Sequence, residues 1–356
     1  MMNQSARGDT HPAVPLTILT GFLGSGKTTL LTRILREPHG LRVAALVNDF
    51  GPINIDAELV ESATDEVISL TNGCICCSIR DDLVGAVMRA LDRPERPDYI
   101  VLEASGVAQP AGILATFAGD ALRDHIRLDT LACVVDAAEF FSDPELTEFR
   151  LFQIAFADLL LLNKVDLVDA EQLARVNKVL ATRFSRCRVI ETVRCEVPLS
   201  VLMSAGHGEV SIADPALPAH DHAHHPEDCR DPTCDHAHVG TANHATQFAT
   251  WRFASAAPLS TESLRAVASR MPVGVYRAKG VVWLAEAPAQ RGVLHVVGKR
   301  VEISLEGDWG DQAPASRIVA IGARGSITDT AFEHLFDPCL SPTDMPLTDG
   351  RQSCLA

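Results

Sequence analysis

The stretch GFLGSGKTT, residues 21–29, carries the pattern G-x4-G-K-[ST]. Glycines at these spacings let the backbone curl so that several N–H groups aim at one phosphate. Gly21, Gly24, Ser25, Gly26, Lys27, Thr28 and Thr29 are the expected cradle. The Lys27 ammonium would face the outer phosphates, and the Thr28 hydroxyl would face a magnesium ion. A second chemical signal is NKVD, residues 163–166, directly behind the apolar run LLLL. A carboxylate at Asp166 can accept from both N1–H and the 2-amino group of guanine, and adenine lacks that amino group. Lys164 can lay its stem along the base, and Asn163 completes the motif. Guanine is therefore the expected base. Glu103 ends the run YIVL and precedes Ala-Ser-Gly106. An acid there can hold magnesium through water, and Gly106 can sense the γ-phosphate. Asp49 ends an earlier strand, where an acid would again face the nucleotide. Gln109 is a distant candidate for orienting water.

The third signal is NGCICC, residues 72–77. Asn-Gly marks a turn, so Cys74, Cys76 and Cys77 are expected on a loop entering a helix. Thiols at a helix start ionise more readily, which favours metal binding. Three soft ligands suit zinc or copper(I), with cobalt(II) and nickel(II) less selectively held. Cys74 and Cys77 also keep C-x-x-C redox spacing, but no thioredoxin-like helix and proline pattern accompanies them. Buried structural thiols are the third reading. A fourth signal is the run HDHAHHPEDCRDPTCDHAH, residues 220–238. It offers His220, His222, His224, His225, Cys229, Cys234, His236 and His238 as ligands on a segment with little periodicity. Such a segment pays ordering entropy to close on an ion, which suits loose capture. The last four could make a tighter zinc site; a solvated polar linker is the bland alternative.

The elements that must hold these groups are legible from apolar runs. VPLTILT, LRVAALVND, a short ISL, YIVLEASG, LACVVDA, ADLLLLNKVDL and CRVIET read as strands with polar loops behind them. Helical patterns cover residues 28–36, 80–91 and 171–180. Continuous apolar strands alternating with helices imply an α/β fold, a mainly parallel sheet covered by helices. Residues 205–245 read as a linker. Order resumes with FATWRF, a helix over 264–271, then VVWLAEA, VLHVVG, RVEIS and RIVAIG, a smaller α+β domain. The expected division is a disordered start at 1–13, a nucleotide domain at 14–204, a His-rich linker at 205–245, a C-terminal domain at 246–340 and a tail at 341–356.

Composition bounds the function classes. A formal net charge of −15 argues against non-specific nucleic-acid binding, which needs a basic face. No apolar run approaches the ~18–20 residues of a membrane span, and residues 1–15 lack the basic–apolar–small pattern of a signal peptide. The expected compartment is the cytoplasm, and the ten unevenly spaced cysteines do not read as a secreted disulfide framework.

Taken in order, GFLGSGKTTLL, NDFG followed by ID, LTNGCICCSIRDDL, EASGVAQP, QIAFADLLLLNKVDL and KGVVWLAEAP resemble the CobW-like GTPases, metallochaperones within the P-loop class. The resemblance runs over nearly the whole chain. It implies a GTPase domain with a CobW C-terminal domain, GTP and Mg2+, and a transition metal, Zn2+ or Co2+. It further implies that the cysteine motif forms an internal metal site between nucleotide-responsive segments, and that a client metalloprotein receives the ion. Lys27, Thr28 and Glu103 would then serve hydrolysis. The chain departs from the family at Asp49, where the family reads N-E-F-G; the shorter acid changes how that position meets magnesium or the transferred metal. Zinc delivery is the leading expectation, with cobalt delivery for cobalamin synthesis or nitrile hydratase activation as the alternative. An ATP-using kinase and a passive metal store are the readings from other classes.

Overall fold

The computed structural model describes residues 12–47, 67–69, 78–204 and 247–340. Seven strands form the first sheet: β1 (Val14–Thr20), β2 (Val43–Val47), β3 (Val67–Ser69), β4 (Tyr99–Glu103), β5 (Ile126–Asp136), β6 (Leu159–Asn163) and β7 (Arg188–Glu191). Their order is β3-β2-β4-β1-β5-β6-β7, and every pairing is parallel. β1, β2, β4 and β6 are buried along their whole length. That is what a parallel sheet with both faces covered requires of its sequence.

The helices alternate with these strands. They are α1 (Lys27–Arg36), α2 (Ser78–Leu91), α3 (Pro110–Phe117), α4 (Pro144–Ile154), α5 (Ala170–Arg183) and the single turn α6 (Leu199–Leu202). α1 buries Lys27, Leu30, Leu31 and Ile34 on one stripe. α5 starts at Asp169, whose carboxylate accepts from the Gln172 amide at 2.7 Å. One face of the sheet packs Leu19, Val101 and Val134 against Leu30, Leu31, Ile34 and Val201. The opposite face packs Ile18, Leu46 and Leu102 against Leu83 and Val87 of α2 and Ile113 of α3. Further along, Val135, Leu160 and Leu162 meet Leu151 and Ile154 of α4 and Val176 and Leu180 of α5.

The second sheet has five antiparallel strands in the order β11-β10-β9-β12-β8. They are β8 (Phe248–Ser255), β9 (Val275–Trp283), β10 (Gln290–Val297), β11 (Arg300–Asp308) and β12 (Ser316–Ala323). α7 (Thr261–Ser269) and α8 (Asp329–His334) pack on one face through Trp251, Phe253, Leu264, Phe332 and Phe336. Phe248, Val297 and Ile321 instead join the core beneath the parallel sheet, so apolar packing is continuous between the two sheets.

No helical pattern marks 110–117 or 144–154 in the sequence, yet α3 and α4 are there. α4 has little one-sided polarity because Leu151 and Ile154 face the sheet while Phe152 is exposed. β5 also extends well upstream of LACVVDA. Its register against β1 shifts between the pairs Leu16–Leu128 and Thr17–Thr130, which leaves Asp129 as the bulged residue.

Candidate nucleotide site

In an open parallel sheet, ligands bind beyond the carboxyl ends of the strands, where neighbouring connections diverge to opposite sides. β1 lies between β4 and β5, and the loop following β1 is the glycine-rich segment. Gly26 takes φ 113° at the start of α1, and no side chain caps that helix. Its first N–H groups are therefore available to an anion. A Cβ on Gly26 would stand 2.6 Å from Asn163 Nδ2 and 3.0 Å from Cys195 Sγ, so only glycine fits.

The cleft at this end holds about 260 Å³ and is bounded by Leu23, Gly24 and Gly26 to Thr29, by Val47 of β2, and by Glu103 to Gly106 at the end of β4. The Lys27 ammonium donates to the Phe22 carbonyl at 3.1 Å, which bends the side chain back over the loop. The Thr28 hydroxyl donates to Glu103 Oε1 at 2.8 Å. Glu103 is only 4% exposed. A hydroxyl and a carboxylate this close form a hard oxygen pair, the donor type magnesium takes.

At the base end, Asn163 is buried and ties two loops together. Its Nδ2 donates to the Ser25 carbonyl at 2.9 Å, and its Oδ1 accepts from the Cys195 amide at 2.9 Å and the Thr192 hydroxyl at 3.3 Å. Lys164 takes a left-handed φ of 61°, and its ammonium meets Asp136 Oδ2 at 2.7 Å. Asp136 closes β5, and its other oxygen accepts from the Ala138 and Glu139 amides. Asp166 lies exposed in the following 3-10 turn. The fold thus gathers Gly24, Gly26, Lys27, Thr28, Thr29 and Glu103 around the cleft, while Gly21 and the buried Ser25 belong to the same loop but do not line it. Asn163 joins them to Lys164 and Asp166. Gln109 sits exposed at the start of α3.

Three participants escape the sequence reading. Asp136 ends an apolar strand ahead of an Ala, a signal present in VVDA. Thr192 and Cys195 follow β7 in a loop where Arg194 and Cys195 both have positive φ, a conformation with no sequence pattern. The Cys195 thiol lies 3.4 Å from the Gly26 carbonyl, and burial pushes it up to about 12, so it stays protonated. Cys74, Cys76, Cys77 and Asp49 lie outside the described residues. So do His220, His222, His224, His225, Cys229, Cys234, His236 and His238.

Fold and loop together define a P-loop nucleotide-binding protein with an appended antiparallel-sheet unit. The nucleotide-binding domain family CobW/HypB/UreG matches residues 15–191, and the cobalamin synthesis protein cobW C-terminal domain matches 248–340. Over 346 residues the chain is 32% identical to the zinc chaperone CobW of Pseudomonas aeruginosa, covering 88% of each chain. It is 28% identical over 337 residues to zinc-regulated GTPase metalloprotein activator 1 of Dictyostelium discoideum, covering 83% of this chain and 68% of that one. Over 176 residues it is 38% identical to the zinc chaperone YjiA of Escherichia coli, covering 46% of this chain and 55% of that one. The chain belongs to the CobW family of P-loop GTPases. No helix among the described residues is long and apolar enough to cross a membrane.

Proposed function

We propose that this GTPase is a zinc metallochaperone whose cysteine motif loads an ion in the GTP state and releases it to a client metalloprotein after hydrolysis. The observation that carries the reading is the Thr28–Glu103 contact at the mouth of the phosphate loop. It supplies the oxygen donors for Mg2+, and Glu103 leads directly into Gly106, whose backbone lies against Leu23. The names of the relatives support zinc as the cargo. Lys27 and magnesium would neutralise charge gathering on the phosphates during hydrolysis. Asn163, Lys164 and Asp166 would select guanine. Cys74, Cys76 and Cys77 would bind the metal, with Asp49 as a further ligand to that metal or to magnesium. The His-rich run from His220 to His238, with Cys229 and Cys234, would collect ions loosely. In this reading residues 14–204 bind nucleotide, 205–245 link, and 246–340 form the second domain.

Linkage supplies the test. If GTP tightens zinc binding, zinc must tighten GTP binding by the same factor. Zinc affinity is measured by chelator competition on untagged protein, with GDP and with a non-hydrolysable GTP analogue. Tighter binding with the analogue, lost in a Cys74→Ser, Cys76→Ser, Cys77→Ser triple variant, is expected. Equal zinc affinity in both nucleotide states would sink the chaperone cycle.

A further inference from the structure

Gly106 is held from two sides. On one side it presses on the phosphate loop: a Cβ there would fall 2.7 Å from the Leu23 amide nitrogen and 2.6 Å from the Leu23 side chain. On the other side stands Gln153 of α4, which is 1% exposed. Its Nε2 donates to the Gly106 carbonyl at 2.9 Å and approaches the Ala108 carbonyl at 3.5 Å. Its helix neighbours Leu151 and Ile154 bury against the sheet as hydrocarbons, whereas Gln153 turns a buried amide toward this loop. A buried primary amide is costly unless its hydrogens are used. Here they fix the orientation of the peptide that follows Gly106.

The same helix also reaches the phosphate loop. The Phe149 ring meets the Phe22 ring edge-on at 6.0 Å between centroids. The Arg150 guanidinium lies 5.0 Å over the Phe22 ring. Arg150 is itself anchored to the Phe140 carbonyl and the Ser142 hydroxyl. Phe22 is the residue whose carbonyl receives the Lys27 ammonium. α4 therefore braces the phosphate loop through Phe22 and the loop behind Glu103 through Gly106, without itself lining the cleft.

We propose that Gln153 is a positioning residue for GTP hydrolysis: by gripping the Gly106 carbonyl it sets the loop behind Glu103 in the geometry that meets the γ-phosphate. Its Oε1 is buried and meets no protein donor among the described residues. The grip on the loop is therefore through the donor end alone. Replacing that donor and keeping the volume removes the hold. The effect falls on the triphosphate state, because GDP leaves the γ-phosphate position empty and makes no demand on Gly106.

This inference rests on the GTPase reading, and the experiment separates the two. Gln153→Met keeps length and burial without a donor; Gln153→Glu puts a carboxylate against the Gly106 carbonyl. Each is compared with the parent by thermal melting, by fluorescent GDP and non-hydrolysable GTP-analogue affinity, and by steady-state GTP hydrolysis with magnesium. The expected result is GDP affinity within about twofold of the parent. The analogue-to-GDP affinity ratio, or kcat at unchanged KM, should fall at least about tenfold, and further in Gln153→Glu. A parent that hydrolyses GTP beside a Gln153→Met variant with unchanged kcat and unchanged analogue-to-GDP ratio would overturn the role of Gln153 alone. Equal loss of GDP and analogue affinity would reduce Gln153 to a packing residue and also overturn it. If Gln153→Met does not fold, the same ratio in Gln153→Glu decides. A parent that neither binds nor hydrolyses GTP overturns the GTPase reading itself.

Discussion

At the residue scale, the site works through pairs in which one member fixes the other. Thr28 donates to Glu103, Lys27 to the Phe22 carbonyl, and Lys164 to Asp136. Asp166 lies exposed on its turn, and the proposed function assigns it the base edge. Asp166→Asn exchanges an acceptor for a donor. Guanine presents a 2-amino donor, whereas xanthine presents an oxygen at that position. Nucleotide competition should show GTP affinity falling about a hundredfold while xanthosine triphosphate gains. Unchanged GTP preference would mean that the base is read elsewhere. NKVD and GSGKT were legible before any fold because each is a local run whose neighbouring residues are expected to act on one ligand. Asp136 was not, because its role comes from Lys164, which lies 28 positions later in the chain (164 − 136).

At the element scale, the strand ends and helix starts do the placing. Gly26 is where the constraint is tightest, since φ 113° and the 2.6 Å approach to Asn163 Nδ2 both exclude a side chain. Gly26→Ala should cost about 1–3 kcal/mol in backbone strain. It should also push Asn163 off the Ser25 carbonyl, so nucleotide affinity by calorimetry should collapse beyond what the loss of stability explains. The strand series was readable because buried parallel strands are uninterrupted apolar runs. α4 was not, because a helix that packs on the sheet, braces Phe22 and exposes Phe152 has no single polar face.

At the scale of the whole molecule, the two sheets meet through an ion-pair cluster around the Asp129 bulge. Asp129 accepts from the Tyr99 hydroxyl, the Ser204 amide at 2.8 Å and Arg277 Nη2 at 2.6 Å. Arg300 of β11 pairs with Asp158 at 2.9 Å and donates to the Asp129 carbonyl. Burial alone would raise the Asp129 carboxyl, but the Arg277 charge together with the Tyr99 and Ser204 hydrogen bonds holds it well below the usual carboxylate range. Nearby, burial first and then the Arg127 and Lys279 charges push His295 down to about 3. The unfolded chain protonates its histidines near pH ~6.5. Between there and pH 3 it holds a proton that folded His295 does not, so stability falls as pH drops below about 6.5. The Asp129 contribution is intact above the unfolded carboxylate value of about 3.9 and is lost only as pH falls further. Denaturant melts from pH 7 to 5 should therefore show a loss of no more than about 1.4 kcal/mol per pH unit from this histidine. The slope should flatten in His295→Gln. Identical slopes in the two proteins would rule His295 out as the source.

The sequence by itself determined the α/β class, the phosphate loop and the family, because those depend on short runs whose chemistry and periodicity are local. Tertiary structure alone decided that Asn163 ties Ser25 to Cys195 and that Asp129 turns toward Arg277. It also decided that Gln153 reaches Gly106. Each of these joins residues dozens to more than a hundred positions apart. Such a pairing is set by the order of strands in the sheet and the helix packed on it, not by any neighbour in the chain.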